Sequence, residues 1–210
     1  MDNSENSTNK ATVVSNKFLQ HFLKEAPLKK SQILTFHALL SAIIIVFLVI
    51  PLSIGAISLA ILALLAVTIS TEFMGLKHGI ISGAVFGFTS LILAFTMYAG
   101  TVNAVFQNPL VSVLPRVAIP FSIYFVGLAI DKLFKNPIAA DSIGAIAGAV
   151  TNTALVMLMI FIFYFNSNVQ GTVISGKFIL GIISINSLIE ILFCAVLAPP
   201  IIKVLRKVIR

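Results

Sequence analysis

The chain has 210 residues, of which 59% are hydrophobic and only 10% are charged, and its mean hydropathy is +1.08. A soluble globular domain carries about 25% charged residues, so a water-soluble fold of this size is excluded. The formal net charge of +7 does not indicate nucleic-acid binding, because most basic residues lie at the ends of apolar runs, where anionic lipid headgroups attract them. We therefore expect an integral membrane protein in contact with lipid.

Three runs without any charged residue define the organisation of the chain. They extend from Ser31 to Thr71, from His78 to Pro115 and from Ser142 to Gly176. Each is far longer than the roughly 20 residues that one helix needs to cross a bilayer. Clusters of proline, glycine and asparagine divide the runs, because these residues terminate helices.

The sequence therefore predicts an all-α membrane protein with six transmembrane helices in one bundle. Pro199 and Pro200 are expected to kink or shorten the last helix. The approximate bounds of the six helices are Gln32–Ile50, Ile54–Thr71, His78–Met97, Leu110–Leu133, Ser142–Phe165 and Lys177–Leu205.

The N-terminal segment differs from the rest of the chain in its polarity. Residues 1–30 show no apolar core followed by a cleavage site, so we expect no cleaved signal peptide, and the first apolar helix then serves as the insertion signal. We expect these residues to form a cytoplasmic tail, and residues 31–210 to form the six-helix transmembrane domain. Within the tail, Val13–Leu28 is either a short amphipathic surface helix or a disordered segment.

Basic residues are distributed very unevenly between the two sides of the predicted bundle. With an even number of spans, both termini and alternate loops share one side, and the loops of the other side contain only Lys177. Because lysine and arginine concentrate in cytoplasmic segments, we expect both termini to be cytoplasmic. The basic residues of that side are Lys10, Lys17, Lys24, Lys29, Lys30, Lys77, Lys132, Lys135, Lys203, Arg206, Lys207 and Arg210.

Two ionisable side chains are expected well inside helices, Arg116 in the fourth and Glu190 near the middle of the sixth. Such residues cost roughly 2.5–3.5 kcal/mol on insertion, so each requires a structural or functional reason. Three interpretations are open at this point. The two side chains form a structural pair, the arginine extends towards the membrane surface, or both residues belong to a polar site.

Amide side chains occur at depths compatible with such a polar site. Asn186 and Glu190 are four residues apart and share one face of the sixth helix. A single asparagine more often links two helices than contacts a ligand, but together with Arg116 these amides predict an outward-facing polar pocket. The amide residues are Asn103, Gln107, Asn108, Asn152 and Asn186.

Small residues recur at every fourth position on three helices. Such ridges allow helix backbones to approach closely, which favours packing inside the bundle and, as the alternative, docking of a separate membrane protein. The ridges are Ala38 and Ala42 on the first helix, Gly79, Gly83 and Gly87 on the third, and Ala140, Gly144 and Gly148 on the fifth.

Signatures of an autonomous enzyme or pump are missing from the sequence. It contains no Walker A loop and no HExxH motif, and Cys194 is its single cysteine, so neither a disulfide nor a cysteine-based metal site is expected. His21, His37 and His78 are scattered along the chain, and His37 is interpreted as a packing residue. We expect no metal and no cofactor, and the chain lacks an energy source of its own.

Five segments, taken in their order along the chain, resemble a known family. They are IPLSIGAISL at Ile50–Leu59, GLKHG at Gly75–Gly79, GAVFGFTSL at Gly83–Leu91, FQNPLVSVLPR at Phe106–Arg116 and GAVTNT at Gly148–Thr153. The series is similar to the S component, the substrate-binding membrane subunit, of energy-coupling factor (ECF) vitamin transporters. The run that ends at Arg116 is most similar to pantothenate-type members.

The resemblance implies a six-helix subunit of the bacterial plasma membrane that captures a vitamin from outside, with no enzymatic activity of its own. It implies two partners, a transmembrane coupling subunit and a pair of ATPase subunits. Its docking motif on the first helix corresponds to Ala38 and Ala42. The substrate-binding residues that it implies are Asn108, Arg116, Asn152 and Asn186.

The substrate and the functional class stay open at the level of sequence. Pantothenate is favoured, but folate, biotin, cobalamin, riboflavin and hydroxymethylpyrimidine remain alternatives, because Phe95–Tyr98 carries no charge where relatives can have one. A small intramembrane enzyme that uses Glu190 and Arg116 is a second hypothesis, although it needs a further acid, base or metal ligand. An assembly protein in which Glu190 and Arg116 form a closed pair is the third.

Overall fold

The computed structural model describes the backbone of residues 29–50, 53, 54, 57, 58 and 60–208, and the side chains of residues 29–50, 61–177 and 187–208. The predicted tail, including the proposed surface helix at Val13–Leu28, therefore lies almost entirely outside the described residues. In the part that is described, the chain is helical apart from two short hairpins and the turns that connect the elements. This confirms the prediction of an all-α membrane protein at the level of fold class.

Six principal helices run through the described residues, in the order that the sequence predicts. Helix α2 continues directly into a π-helical turn at Ser70–Met74, and α4 is preceded by a helical turn at Pro109–Ser112. The helices are α1 (Lys30–Val49), α2 (Ala60–Ile69), α3 (Leu76–Thr96), α4 (Leu114–Phe134), α5 (Pro137–Tyr164) and α6 (Gly176–Val208).

Five helical segments are long and apolar enough to cross a bilayer. They are α1, α3, the segment Pro109–Phe134 that contains α4, α5, and the part of α6 from Ser187 to Val208. The chain is therefore a multi-pass membrane protein. The second helix is shorter, with an apolar segment of Ile61–Met74, so that a sixth complete span, and with it the orientation of the termini, stays a prediction.

The second predicted helix begins later than the sequence pattern indicates. Ser53–Ile54 and Ile57–Ser58 are not helical but form a two-stranded antiparallel hairpin, in which Ser53 lies opposite Ser58. The prediction that this helix starts at Ile54 is therefore wrong. The β-branched isoleucines fit a pleated strand better than a helix, which the hydropathy of the segment does not reveal.

Helices α5 and α6 both extend beyond their predicted bounds. Helix α5 starts at Pro137 because the Asn136 side chain accepts hydrogen bonds from the Ile138 and Ala139 amides, at 3.1 and 3.4 Å, and proline fits the first helical position. Helix α6 continues past Pro199 and Pro200 to Val208, so the shortening is wrong, whereas the alternative of a kink stays a prediction. Membrane helices tolerate proline where packed neighbours support the freed backbone groups.

A second hairpin, which the predicted helix bounds do not indicate, connects α5 and α6. Asn168–Val169 pairs with Thr172–Val173, and the turn consists of Gln170 and Gly171, both with positive φ of 50° and 82°. Two consecutive residues with positive φ form the turn that matches the twist of a hairpin.

Helix α2 lies at the centre of the bundle, whereas α1 lies at its edge. Five consecutive side chains from Ala63 to Val67 are at most 6% exposed, so α2 is buried on all sides. A helix that is hydrophobic all round is expected in such an interior position. Buried residues of the other helices complete the core around it, among them Ile44, Ile119, Ile123 and Ile202.

Glycine ridges determine how closely α3, α4 and α5 approach one another. A Cβ atom on Gly83 would lie 2.4 Å from the Arg116 carbonyl oxygen, and one on Gly148 would lie 2.6 Å from the Ile123 side chain. The Ser112 hydroxyl also donates a hydrogen bond of 3.2 Å to the Gly87 carbonyl. The predicted internal packing of the ridges on the third and fifth helices is confirmed.

We predict that Gly83→Ala destabilises the fold, because the added methyl group meets backbone rather than a mobile side chain. Overpacking of this kind typically costs about 1–3 kcal/mol, which exceeds the gain of up to about 1 kcal/mol in helix propensity. Gly127→Ala is the matched control, since its Cβ would make an ordinary contact at 3.6 Å. The melting temperatures of both variants in detergent check this, and equal values would contradict the packing argument.

Candidate functional site

Arg116 is a buried arginine enclosed by two aromatic rings. It lies in the first turn of α4 and is 7% exposed. Its guanidinium carbon lies 4.8 Å from the centre of the Phe106 ring and 5.4 Å from that of Phe86. Each such contact contributes roughly 0.5–2 kcal/mol, so the rings stabilise the cation and fix its plane. The alternative in which Arg116 extends towards the membrane surface is therefore wrong.

The hydrogen bonds of Arg116 leave part of its guanidinium without a protein partner. Nη1 donates to the Val111 carbonyl at 2.8 Å, while Nε is buried and forms no hydrogen bond with the described residues. The break between the turn Pro109–Ser112 and α4 presents this carbonyl to the arginine. The site therefore holds a rigid cation with unused donor capacity.

Glu190 lies on α6 opposite Asn152 and Thr153 of α5. The Thr153 hydroxyl donates to the Glu190 carboxylate at 3.3 Å, and the Asn152 amide interacts with the same carboxylate. Asn152 is 8% exposed, and its buried side-chain oxygen has no hydrogen-bond partner in the described part of the protein. The structure therefore brings the predicted site residue Asn152 to Glu190.

Arg116 and Glu190 attract one another electrostatically without direct contact. Among the described side chains, no ion pair joins them: Arg116 Nη1 donates to the Val111 carbonyl, and the Thr153 hydroxyl donates to the Glu190 carboxylate. The hypothesis of a closed Arg116–Glu190 pair is therefore wrong.

The other amide residues predicted from the sequence are not among the contacts of Arg116 and Glu190 described above. Asn108 is half-buried, and its side-chain oxygen accepts a 3.0 Å hydrogen bond from the Leu110 amide, so it caps the turn that leads into α4. Gln107 donates to the Ala94 carbonyl at 3.1 Å and ties the loop to the end of α3. The backbone of Asn186 belongs to α6, but its side chain lies outside the described residues.

Sequence reasoning missed four residues of this region. Ser187 is 9% exposed, its hydroxyl is buried without a partner, and it precedes Glu190 by one helical turn, a spacing that is visible in the sequence. Thr153 directly follows Asn152. Phe86 and Phe106 look like ordinary apolar residues, and only the packing of α3 against the loop before α4 brings them to Arg116.

A second ionic cluster lies at the end of the bundle that carries most basic residues. Arg206 donates to the two Asp141 oxygens at 2.6 and 3.0 Å and to the Glu72 carbonyl at 3.3 Å. The Glu72 carboxylate is buried without a hydrogen-bond partner, close to Gly144. The sequence pattern does not indicate this cluster, because the predicted helices end next to Glu72 and Asp141, and the structure keeps both residues near helix ends.

Two of the histidines that look scattered in the sequence are paired. His37 Nε2 and His78 Nδ1 share a hydrogen bond between α1 and α3, and the other ring nitrogen of His37 is buried without a partner. His37 is therefore more than a packing residue. In the part of the chain that the structure describes, no three histidine, cysteine or acidic side chains converge on a metal position.

The small-residue ridge of α1 faces away from the bundle. Ala38 and Ala42 are both exposed, as are the neighbouring Leu34 at 72%, Leu39 at 55% and Ile45 at 44%. This ridge thus differs from the glycine ridges of α3 and α5, which are covered by neighbouring helices of the same chain.

We predict that Arg206→Gln lowers the melting temperature, because it leaves Asp141 buried beside Glu72 without a compensating cation. Since Arg206 is 39% exposed, the expected loss is about 1–2 kcal/mol, below the value for a fully buried pair. Lys207→Gln changes an exposed cation of the same helical turn and serves as the control. Equal melting temperatures of the two variants would show that the Asp141 ion pair does not stabilise the fold.

Comparison with known proteins relates this arrangement to a transporter family. The sequence profile of the family described as ECF transporter, substrate-specific component, matches residues 32–202. The pantothenic acid transporter PanT of Lactococcus lactis subsp. cremoris (strain MG1363) is 28% identical, over 68% of this chain and 76% of that protein. The family match covers most of the chain and includes at least part of each of the six helices. The protein belongs to the substrate-specific components of ECF transporters.

Proposed function

We propose that this chain captures pantothenate at the outer face of the bacterial plasma membrane. It delivers the vitamin to a coupling subunit driven by two ATPases. The observation that carries the proposal is the buried guanidinium of Arg116, held rigid by two rings and one carbonyl, with Nε unpartnered. The family match and the likeness to PanT support the same conclusion and favour a transporter subunit over an intramembrane enzyme.

A carboxylate is the chemical group that this arginine recognises best. Aromatic rings and a carbonyl oxygen stabilise a cation but do not neutralise it, and Glu190 is not in contact with it. A carboxylate placed in the plane of the guanidinium accepts two parallel charge-assisted hydrogen bonds. The low dielectric of a buried site strengthens these bonds relative to water.

The requirement for a carboxylate narrows the choice of vitamin. Riboflavin and hydroxymethylpyrimidine have no carboxylate, whereas pantothenate, biotin and folate have at least one. The arginine alone does not separate these three acids. The similarity to a pantothenic acid transporter favours pantothenate among them.

The position of Arg116 agrees with capture from outside. It lies near the start of α4, and the clustered basic residues Lys132 and Lys135 lie at the other end of that helix or just beyond it. If positive residues mark the cytoplasmic side, the site lies in the outer half of the bundle. This orientation is part of the proposal.

The exposed ridge of α1 is the proposed docking surface for the coupling subunit. Ala38 and Ala42 face outward, and their small side chains permit a partner helix to approach the α1 backbone closely. Helix α1 is also the least buried of the candidate spans, since only 11% of its apolar stretch is buried. Docking there leaves the α4–α5–α6 region around Arg116 unobstructed.

We predict that Arg116→Ala weakens pantothenate binding and that Arg116→Lys weakens it less. Truncating one partner of a buried charged hydrogen bond costs about 2–5 kcal/mol, which corresponds to roughly tens to thousands of fold in Kd. Lysine keeps the charge but loses the planar fork. Titration calorimetry on protein in nanodiscs measures both values.

Arg206→Lys is the control for these variants, because it changes an arginine at the opposite end of the bundle. Its Kd is expected to equal that of the wild type. Unchanged affinity in both Arg116 variants, together with lowered melting temperatures, would show that Arg116 stabilises the fold and does not recognise the carboxylate.

We predict that Ala38→Trp or Ala42→Trp abolishes ATP-driven uptake while ligand affinity is retained. A tryptophan on this ridge prevents close approach of a partner helix without entering the bundle core. Val196→Trp is the control, since Val196 is 66% exposed on α6. Uptake into proteoliposomes and ligand titration separate the two effects. Normal uptake by both alanine variants would exclude this ridge as the docking surface.

A further inference from the structure

We infer that Glu190 determines which carboxylic acids the site accepts. It binds a hydroxyl or amide N–H group of the ligand and excludes ligands that carry a second anionic group. The inference rests on the proposed function, because it concerns the same site. It adds a second recognition group of opposite charge to the arginine.

The position of the Glu190 carboxylate is fixed by α5. Thr153 donates to it at 3.3 Å, and the adjacent Asn152 amide interacts with it from the same helix. Helices α5 and α6 are both long and pack along one another, so these donors hold the carboxylate at the helix interface. A carboxylate held this way presents its remaining lone pairs in a constant direction.

The carboxylate and the guanidinium form two separate poles of one site. Val111 and the two phenylalanine rings hold Arg116 on the α3–α4 side, and Thr153 holds Glu190 on the α5–α6 side. The two charges attract one another, but the described side chains do not meet in an ion pair. A ligand that interacts with both must therefore extend between them.

The unpartnered polar atoms differ between the two poles. At Arg116 the free group is Nε, which only donates. Near Glu190 the free groups are the Asn152 side-chain oxygen, which accepts, and the Ser187 hydroxyl, which both donates and accepts. The site thus requires acceptors at one end of the ligand and donors at the other. A carboxylic acid with hydroxyl or amide N–H groups meets this requirement.

The charge of Glu190 also acts against competing ligands. A ligand with one carboxylate at Arg116 and neutral donors at Glu190 balances both charges, whereas a second anion at Glu190 is repelled. Repulsive elements of this kind are a common source of specificity. Pantothenate, with one carboxylate, two hydroxyls and an amide, belongs to the accepted class. Folate, with two carboxylates, does not.

Glu190→Gln tests the inference, because glutamine keeps the side-chain volume and an oxygen for Thr153 but removes the charge. The probes are pantothenate and 4′-phosphopantothenate, which carries an anionic phosphate at the hydroxyl end. The measured quantity is the Kd of 4′-phosphopantothenate divided by the Kd of pantothenate. Steric exclusion of the phosphate is the same in both proteins, so a change in the ratio reports the charge of Glu190.

We expect the wild type to prefer pantothenate and the ratio to fall at least tenfold in Glu190→Gln. Asp141→Asn, which removes a carboxylate at the opposite end of the bundle, is expected to keep the wild-type ratio. If Glu190→Gln weakens both ligands equally or leaves the ratio unchanged, Glu190 is structural and the inference is overturned. Failure of the wild type to bind pantothenate would instead contradict the proposed function.

Discussion

The close approach of α3 and α4 is the constraint on which the site depends. Gly83 lies against the carbonyl of Arg116 itself, and Gly87 lies against the backbone of Val113, so no side chain separates the two helices at this level. This contact places Phe86 beside the guanidinium. The helix is interrupted just before Leu114, and this interruption leaves the Val111 carbonyl free to accept a hydrogen bond from Arg116. Backbone packing thus determines where the cation stands.

The described part of the bundle holds buried and half-buried charges in two clusters, which differ in whether the opposite charges are in contact. Arg206 and Asp141 pair directly, with bidentate geometry, and join α5 to α6 at the basic end. Arg116 and Glu190 stay apart, each held by neutral groups. Because a buried charge is costly without a partner, a separated pair is hard to explain by stability alone. Under the proposed function, a ligand that bridges the two poles would supply this compensation.

Much of the fold follows from the sequence, because charge-free runs and helix-breaking residues report on length and burial directly. The pattern of charge-free runs predicts a wrong start for α2. It also does not indicate the Glu72–Asp141–Arg206 cluster, because a charged residue next to an apolar run is interpreted as the end of a helix. Arg116 and Asn152 were identifiable as polar residues in apolar helices. Phe86 and Phe106 were not, because their role arises from packing between segments distant in sequence.

The central claim is that this subunit binds a hydroxylated monocarboxylic acid, and pantothenate above the other vitamins. Equilibrium binding of radiolabelled pantothenate, biotin, folate, riboflavin and hydroxymethylpyrimidine to the purified wild-type protein in nanodiscs tests it most directly. The account predicts saturable, tight binding of pantothenate, weaker binding of biotin and folate, and no specific binding of riboflavin or hydroxymethylpyrimidine. Tight binding of riboflavin or hydroxymethylpyrimidine, which lack a carboxylate, would contradict it.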